Sequence, residues 1–175
     1  FAVPYEEQQK IKDIADNPFD KAVISFLMDT GVRVDELLHI KKDDIDYNKN
    51  RVFIAVGKGG DSRKTIISDE AIAYLKDYLK RRRDGSEWVF AKKNGIPPTD
   101  TTIRNRVKAC VKKAGLPSWV TPHKLRRTFV TNLRRKGVRK EIIKLLTGHK
   151  GELMVEYYTD VFEEEIDKVI EIHNK

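Results

Sequence analysis

The stretch from Thr121 to Tyr158 gathers side chains able to do chemistry. Thr121-Pro-His-Lys-Leu-Arg-Arg-Thr-Phe129 is followed by Thr147-Gly-His149 and by the pair Tyr157-Tyr158. No carboxylate cluster or cysteine pair stands beside them, so a metal site is not indicated. Two imidazoles, a helix-borne guanidinium and a phenol suit phosphate chemistry carried out without a cofactor.

Helical phase sorts these groups. Thr121 is a good N-cap and Pro122 a good first helical residue, so His123 falls in the first turn, where backbone N–H groups and the helix dipole favour an anion. At about 100° per residue, Leu125, Phe129 and Leu133 form one apolar stripe with Arg126 at its border, while Arg127 points away from it. The two adjacent arginines are therefore expected to differ in role. A guanidinium held against packed side chains can present a fixed fork to phosphate oxygens. His149 follows a helix that Gly148 ends, and it gains weight only from its neighbours.

The rest of the chain must position this set. Residues 5 to 16 read as a polar helix, and Asn17-Pro18 caps a second one carrying Val23, Ile24, Phe26, Leu27 and Met28 that stops at Gly31. A third helix starts near Arg33, with Val34, Leu37 and Leu38 at helical spacing. Arg51-Val-Phe-Ile-Ala-Val and Arg63-Lys-Thr-Ile-Ile flank the glycine-rich Gly57-Lys-Gly-Gly-Asp, which predicts a β-hairpin. Helices are expected over 69 to 83, 101 to 114, 122 to 136, 139 to 147 and 162 to 172, with an irregular or short-hairpin link around Trp88 to Pro98. The fold class that results is mostly α with a small antiparallel β-sheet (α+β), in one domain spanning 1 to 175.

Composition narrows the partner. The chain has 175 residues, 39% of them apolar, enough for one substantial core. Its 35 Lys and Arg against 27 Asp and Glu give a net charge of +8, with runs such as Lys80-Arg81-Arg82-Arg83. A surplus of this kind favours a polyanion, through phosphate contacts and counterion release. The lone cysteine, Cys110, excludes a disulfide framework and a thiolate metal site, and predicts a reducing, cytoplasmic setting. No apolar run approaches the roughly eighteen residues needed to span a bilayer. The chain opens on Phe1 rather than Met, so we expect a piece of a longer protein with an additional N-terminal domain.

Several motifs, taken in order, resemble the catalytic domain of the tyrosine recombinase (phage integrase) family. They are Thr30-Gly-Val-Arg33-Val-Asp-Glu36-Leu-Leu, Gly57-Lys58-Gly, His123-Lys-Leu-Arg126, Gly148-His149 and Tyr158-Thr-Asp-Val, and they run from about residue 18 to residue 162. Each alone is weak; the order and spacing, including the nine-residue step from His149 to Tyr158, make the set specific. The resemblance implies attack of Tyr158 on a DNA phosphodiester, with Arg33 and Arg126 clamping the non-bridging oxygens and His149 donating a further hydrogen bond. It also implies His123 as the group assisting proton removal, Lys58 as the acid for the departing 5′-oxygen, and Glu36 as support for Arg33 or His123. Neither metal nor ATP is needed, because the ester keeps the bond energy.

The same resemblance implies double-stranded DNA as partner, met by Arg127, Lys124, Arg104 and Arg106, and assembly of two to four copies on it. The helix at 162 to 175 could dock on its own chain or on a neighbour. Thr147, Arg127 and Asp160 depart from the commoner family residues at their positions, which leaves the subfamily open. A type IB topoisomerase-like relaxation and a non-catalytic DNA-binding module are the competing functions. The second is disfavoured because all six groups are present. Tyr157, His39 and His173 are expected to be packing or surface residues.

Overall fold

A computed structural model of the chain describes residues 2–55, 62–148 and 160–175, without the side chains of 160–162. Helices α1 (Tyr5–Ile14), α2 (Pro18–Thr30) and α3 (Val34–Leu38) come first, then a sheet of β1 (Ile45–Asp46), β2 (Arg51–Ile54) and β3 (Arg63–Ile66). Five helices follow: α4 (Asp69–Lys80), α5 (Asp100–Lys113), α6 (Pro122–Arg135), α7 (Lys140–Thr147) and α8 (Asp160–His173). The expected class holds, helices around one small antiparallel sheet.

Local chemistry explains the boundaries. Asn17 accepts a hydrogen bond from the backbone N–H of Asp20 at 2.8 Å and Pro18 opens α2. Asn17, the residue before the proline, is extended as its position requires, and α1 ends at Ile14 and not at 16. The helix expected to reach Arg83 stops at Lys80, and the segment around Trp88 is no hairpin; it makes one antiparallel bridge to Lys41.

The sheet order is β1-β2-β3, with Val52 opposite Thr65 and Ile54 opposite Arg63. β1 is an addition to the expected hairpin; its two residues pair with Arg51 and Val52 at the end of the charged turn. Apolar faces of α1 to α5 close over one core that includes Phe26, Leu37, Val52, Leu75, Phe90 and Val107. A second apolar cluster joins β3, α6, α7 and α8 through Ile66, Phe129, Leu133, Leu146 and Ile166. Arg51, itself buried, ties α8 to the sheet through Asp167 at 2.9 Å and Glu163 at 3.5 Å. No helix among the described residues is long and apolar enough to cross a membrane.

Candidate active site

The site forms where the C-terminal ends of α2 and α7 meet the first turns of α6. A helix end leaves carbonyls without partners inside the helix, and its dipole favours a cation. Arg126 satisfies both ends at once, donating from Nη1 to the carbonyl of Gly31 and from Nη2 to that of Thr147, each at 2.6 Å. Its stripe neighbours Leu125, Phe129 and Leu133 are wholly buried, and Arg126 keeps only 6% of its surface exposed. Arg127 points outward, as the helical phase requires.

Two glycines make this geometry possible. Gly31 and Gly148 both cap their helices in the left-handed region, with φ of 70° and 73°. A methyl group on Gly31 would lie 2.3 Å from Phe129 Cδ1, so the absence of a side chain is what lets α6 approach the end of α2. A methyl on Gly148 would lie 3.0 Å from the side chain of Arg63.

Glu36 is the anion at the centre. Its carboxylate accepts from the backbone N–H of Arg33 at 2.8 Å and from Arg33 Nη1 at 3.1 Å, and it lies 4.0 Å from Arg126. It also receives both arms of Arg63 at 2.8 Å. Of the two supports expected from Glu36, the hydrogen bonds go to Arg33 and not to His123. Burial works to raise the Glu36 pKa, but the Arg63 hydrogen bonds and the Arg33 amide outweigh it and hold the carboxyl below its ordinary range. Arg126 moves the other way. Burial, joined by repulsion from Arg33 and Arg63, lowers it to about 10, with Glu36 offsetting part of the shift.

Arg63 is the site residue that the sequence reading misses. Its side chain is buried, and Nε donates to the carbonyl of Leu146 at 2.9 Å. On β3, Lys64 is exposed while Arg63 and Thr65 face inward, a placement that alternation along the strand does not reveal, since Ile66 is buried too. An inward arginine requires a carboxylate partner.

The remaining predicted residues divide. Arg33, Arg104, His123 and Arg126 line one small cleft of about 130 Å³, with Val32 and Pro122 as its apolar walls. The Arg33 side chain is 55% exposed there, and His123 is exposed in the first turn of α6. Lys124 is half-buried on the same turn. Arg106, two residues from Arg104, lies elsewhere, in a bidentate pair with Asp20 at 2.6 and 2.7 Å. It borders a larger cavity of about 670 Å³ beside Phe19 and Tyr78. That cavity is the weaker candidate, because none of Arg33, His123 and Arg126 lines it. Lys58, His149, Tyr157 and Tyr158 lie outside the described residues. Among those described, no three His, Cys, Asp or Glu side chains cluster in a way that could hold a metal ion.

With three arginines on one carboxylate, the site carries a surplus of fixed positive charge beside an open cleft. Residues 4–165 match the model of the phage integrase family. The tyrosine recombinase XerA of Pyrococcus horikoshii is 35% identical over 171 residues, which cover 95% of this chain and 59% of that protein. The crystal structure of XerA recombinase superposes with a TM-score of 0.81 at 27% identity, over 96% of this chain and 64% of that one. A lambda integrase dimer bound to a COC′ core site shares the fold, with a TM-score of 0.69 and 21% identity over 88% of this chain and 59% of the other. The chain therefore spans less than two thirds of the length of each of these relatives.

Proposed function

The chain belongs to the phage integrase family, and from that premise we propose that it is the catalytic domain of a site-specific DNA recombinase. In the proposed step the phenolic oxygen of Tyr158 attacks a DNA phosphorus. A tyrosyl P–O bond forms as the bond to the 5′-oxygen breaks, leaving a 3′-phosphotyrosyl ester and a 5′-hydroxyl. His123 takes up the phenol proton and Lys58 supplies the proton to the departing oxygen. Arg33, Arg126 and His149 meet the charge that gathers on the non-bridging oxygens, where preorganised cations are worth most. Rejoining is the reverse step with a different 5′-hydroxyl, so no ATP is consumed.

One observation carries this reading. Arg126 is locked between two helix ends while Arg33 stands half exposed one carboxylate away, beside His123 and an open cleft. Such a surplus suits a phosphodiester. Double-stranded DNA is the proposed partner, with Arg104, Lys124 and Arg127 around the cleft and two to four copies assembled on it. The relative captured as a dimer on its core site supports that assembly.

The test is a nicked suicide DNA substrate, from which the leaving strand diffuses away. A covalent protein–DNA adduct is expected, also in EDTA, from the unmodified chain and from Tyr157→Phe, and none from Tyr158→Phe. An adduct with Tyr158→Phe would assign the nucleophile elsewhere. Lys58→Ala should slow cleavage of an ordinary 5′-oxygen and recover with a more acidic leaving group; no recovery would move the acid role to another residue.

A further inference from the structure

We propose that Arg63 is a positioning residue for DNA phosphate: it occupies the Glu36 carboxylate, so that Arg33 and Arg126 remain available to an incoming anion. The inference deepens the strand-cleavage reading and rests on it. Its basis is competition for one carboxylate. Ionised Glu36 has about four acceptor positions. The fork of Arg63 fills one on each oxygen, and the Arg33 amide and Nη1 fill one more on each. Arg126 is left outside this set at 4.0 Å, with its hydrogen bonds directed to backbone carbonyls.

Removal of Arg63 would change both charge and geometry. Three arginines against Glu36 give a surplus of two positive charges; without Arg63 the surplus is one. The freed carboxylate oxygens would then turn to Arg33 and Arg126, the groups that a phosphate needs, and an incoming phosphate would have to displace them. Arg63 is well anchored for its task. It is buried on β3, its Nε holds the Leu146 carbonyl in the last turn of α7, and Gly148 packs against its side chain. One guanidinium thus links the sheet, the α3 carboxylate and the helix end that also holds Arg126. Lysine could supply the charge but not the fork together with the third hydrogen bond.

The experiment is a cycle of four proteins: the unmodified chain, Arg63→Met, Glu36→Gln and the double variant. Two readouts are needed, the single-turnover rate of adduct formation on the suicide substrate and the rise in melting temperature produced by inorganic phosphate. Misplacement of the arginines in Arg63→Met should lower the rate at saturating DNA by about 100-fold and abolish most of the phosphate-induced rise. The double variant should regain about 10-fold in rate over Arg63→Met, and with it the phosphate response, because the competing carboxylate is gone. A purely structural Arg63 gives no such recovery.

If folded Arg63→Met matches the unmodified chain, or if the double variant is no better than Arg63→Met in both readouts, the proposal is overturned. Should Arg63→Met fail to fold, Arg63→Lys takes its place in the same cycle. If the unmodified chain forms no adduct while the phosphate pattern appears as described, the strand-cleavage reading falls and the role of Arg63 at an anion site stands. If the adduct forms at a rate indifferent to Arg63, strand cleavage stands and the positioning role falls.

Discussion

The C-terminal end of α2 serves two polar clusters that handle charge in opposite ways. At Asp29, buried Lys12 lies 3.3 Å away, Ser68 donates at 2.7 Å, and Glu70 sits 3.1 Å from the same lysine. Two residues on, the carbonyl of Gly31 holds Arg126 in a cluster of three arginines around Glu36. Burial alone would lower the Lys12 pKa, but Asp29 and Glu70 outweigh it and raise it. Arg126 is compensated only in part, by Glu36, and is lowered to about 10. The first cluster is matched and contributes to stability. In the second, positive charge is held against its own repulsion, a cost that Glu36 offsets in part and that an anion from outside would offset further.

The largest effect expected from this difference is on chemistry at the unmatched cluster. Arg126→Met should lower strand cleavage by about 10²- to 10³-fold, the scale found when one preorganised donor is lost. Its stability cost should be modest, about 1–2 kcal/mol, because the loss of two hydrogen bonds is offset by relief of repulsion from Arg33 and Arg63. Urea unfolding beside the adduct assay checks both halves. A fall in stability as large as that of the matched cluster, with cleavage retained, would reverse the roles of the two.

Lys12→Met should show the converse. A matched buried pair broken on one side leaves a carboxylate uncompensated, and a loss of about 3 kcal/mol is expected. Adduct formation per folded molecule should not change, since Lys12 touches nothing in the cleft. Equal loss in both assays would mean that the two clusters act as one.

The matched cluster should also carry a pH dependence near neutrality, where Glu36 of the unmatched one, its carboxyl held below the ordinary range, stays ionised. His173, on α8, lies 2.9 Å from the carbonyl of Asp29 through Nε2, and its Nδ1 is buried with no hydrogen-bond partner among the described residues. Burial pulls its pKa below 6.5, against Asp29 and with Lys136 and Lys12 adding to the lowering. The folded state therefore takes up this proton less readily than the unfolded one. Stability is full above about pH 6.5 and falls as pH drops below it, by at most about 1.4 kcal/mol per pH unit for one proton. Unfolding curves at about pH 7.5 and 5.5, for the unmodified chain and His173→Phe, test this; a slope that persists in His173→Phe belongs to another group.

Much of this contrast is legible in the sequence and part is not, for physical reasons. Helical periodicity separates Arg126 from Arg127, and Asn17-Pro18, Gly31, Thr121-Pro122 and Gly148 announce their helix ends, because such signals are local. The Glu36–Arg63 pair joins residues 27 apart and the Gly31–Arg126 bond residues 95 apart. A residue's own segment does not say which distant carbonyl or carboxylate it will meet. Arg104 and Arg106 show the same limit: two apart on α5, they point to different clefts, and while the partner of Arg104 is Asp100 one turn away on its own helix, that of Arg106 is Asp20, 86 residues distant. The two-residue β1 is too short for any alternation to show.

The smallest effect is also the most direct comparison of the two clusters. A ligand that binds only the folded state stabilises it by RT ln(1 + [L]/Kd), about 1 kcal/mol when phosphate is present at about five times its Kd. The unmatched cluster should bind it and the matched one should not, since Lys12 already faces two carboxylates. Lys12→Met should therefore keep the full phosphate response from a lower baseline, while Arg33→Ala and Arg126→Met lose it. Chloride at equal ionic strength controls for screening, which weakens exposed pairs of both kinds. A phosphate response that vanished with Lys12 and survived without Arg126 would place the anion on the wrong side of α2 and exchange the functions of the two clusters.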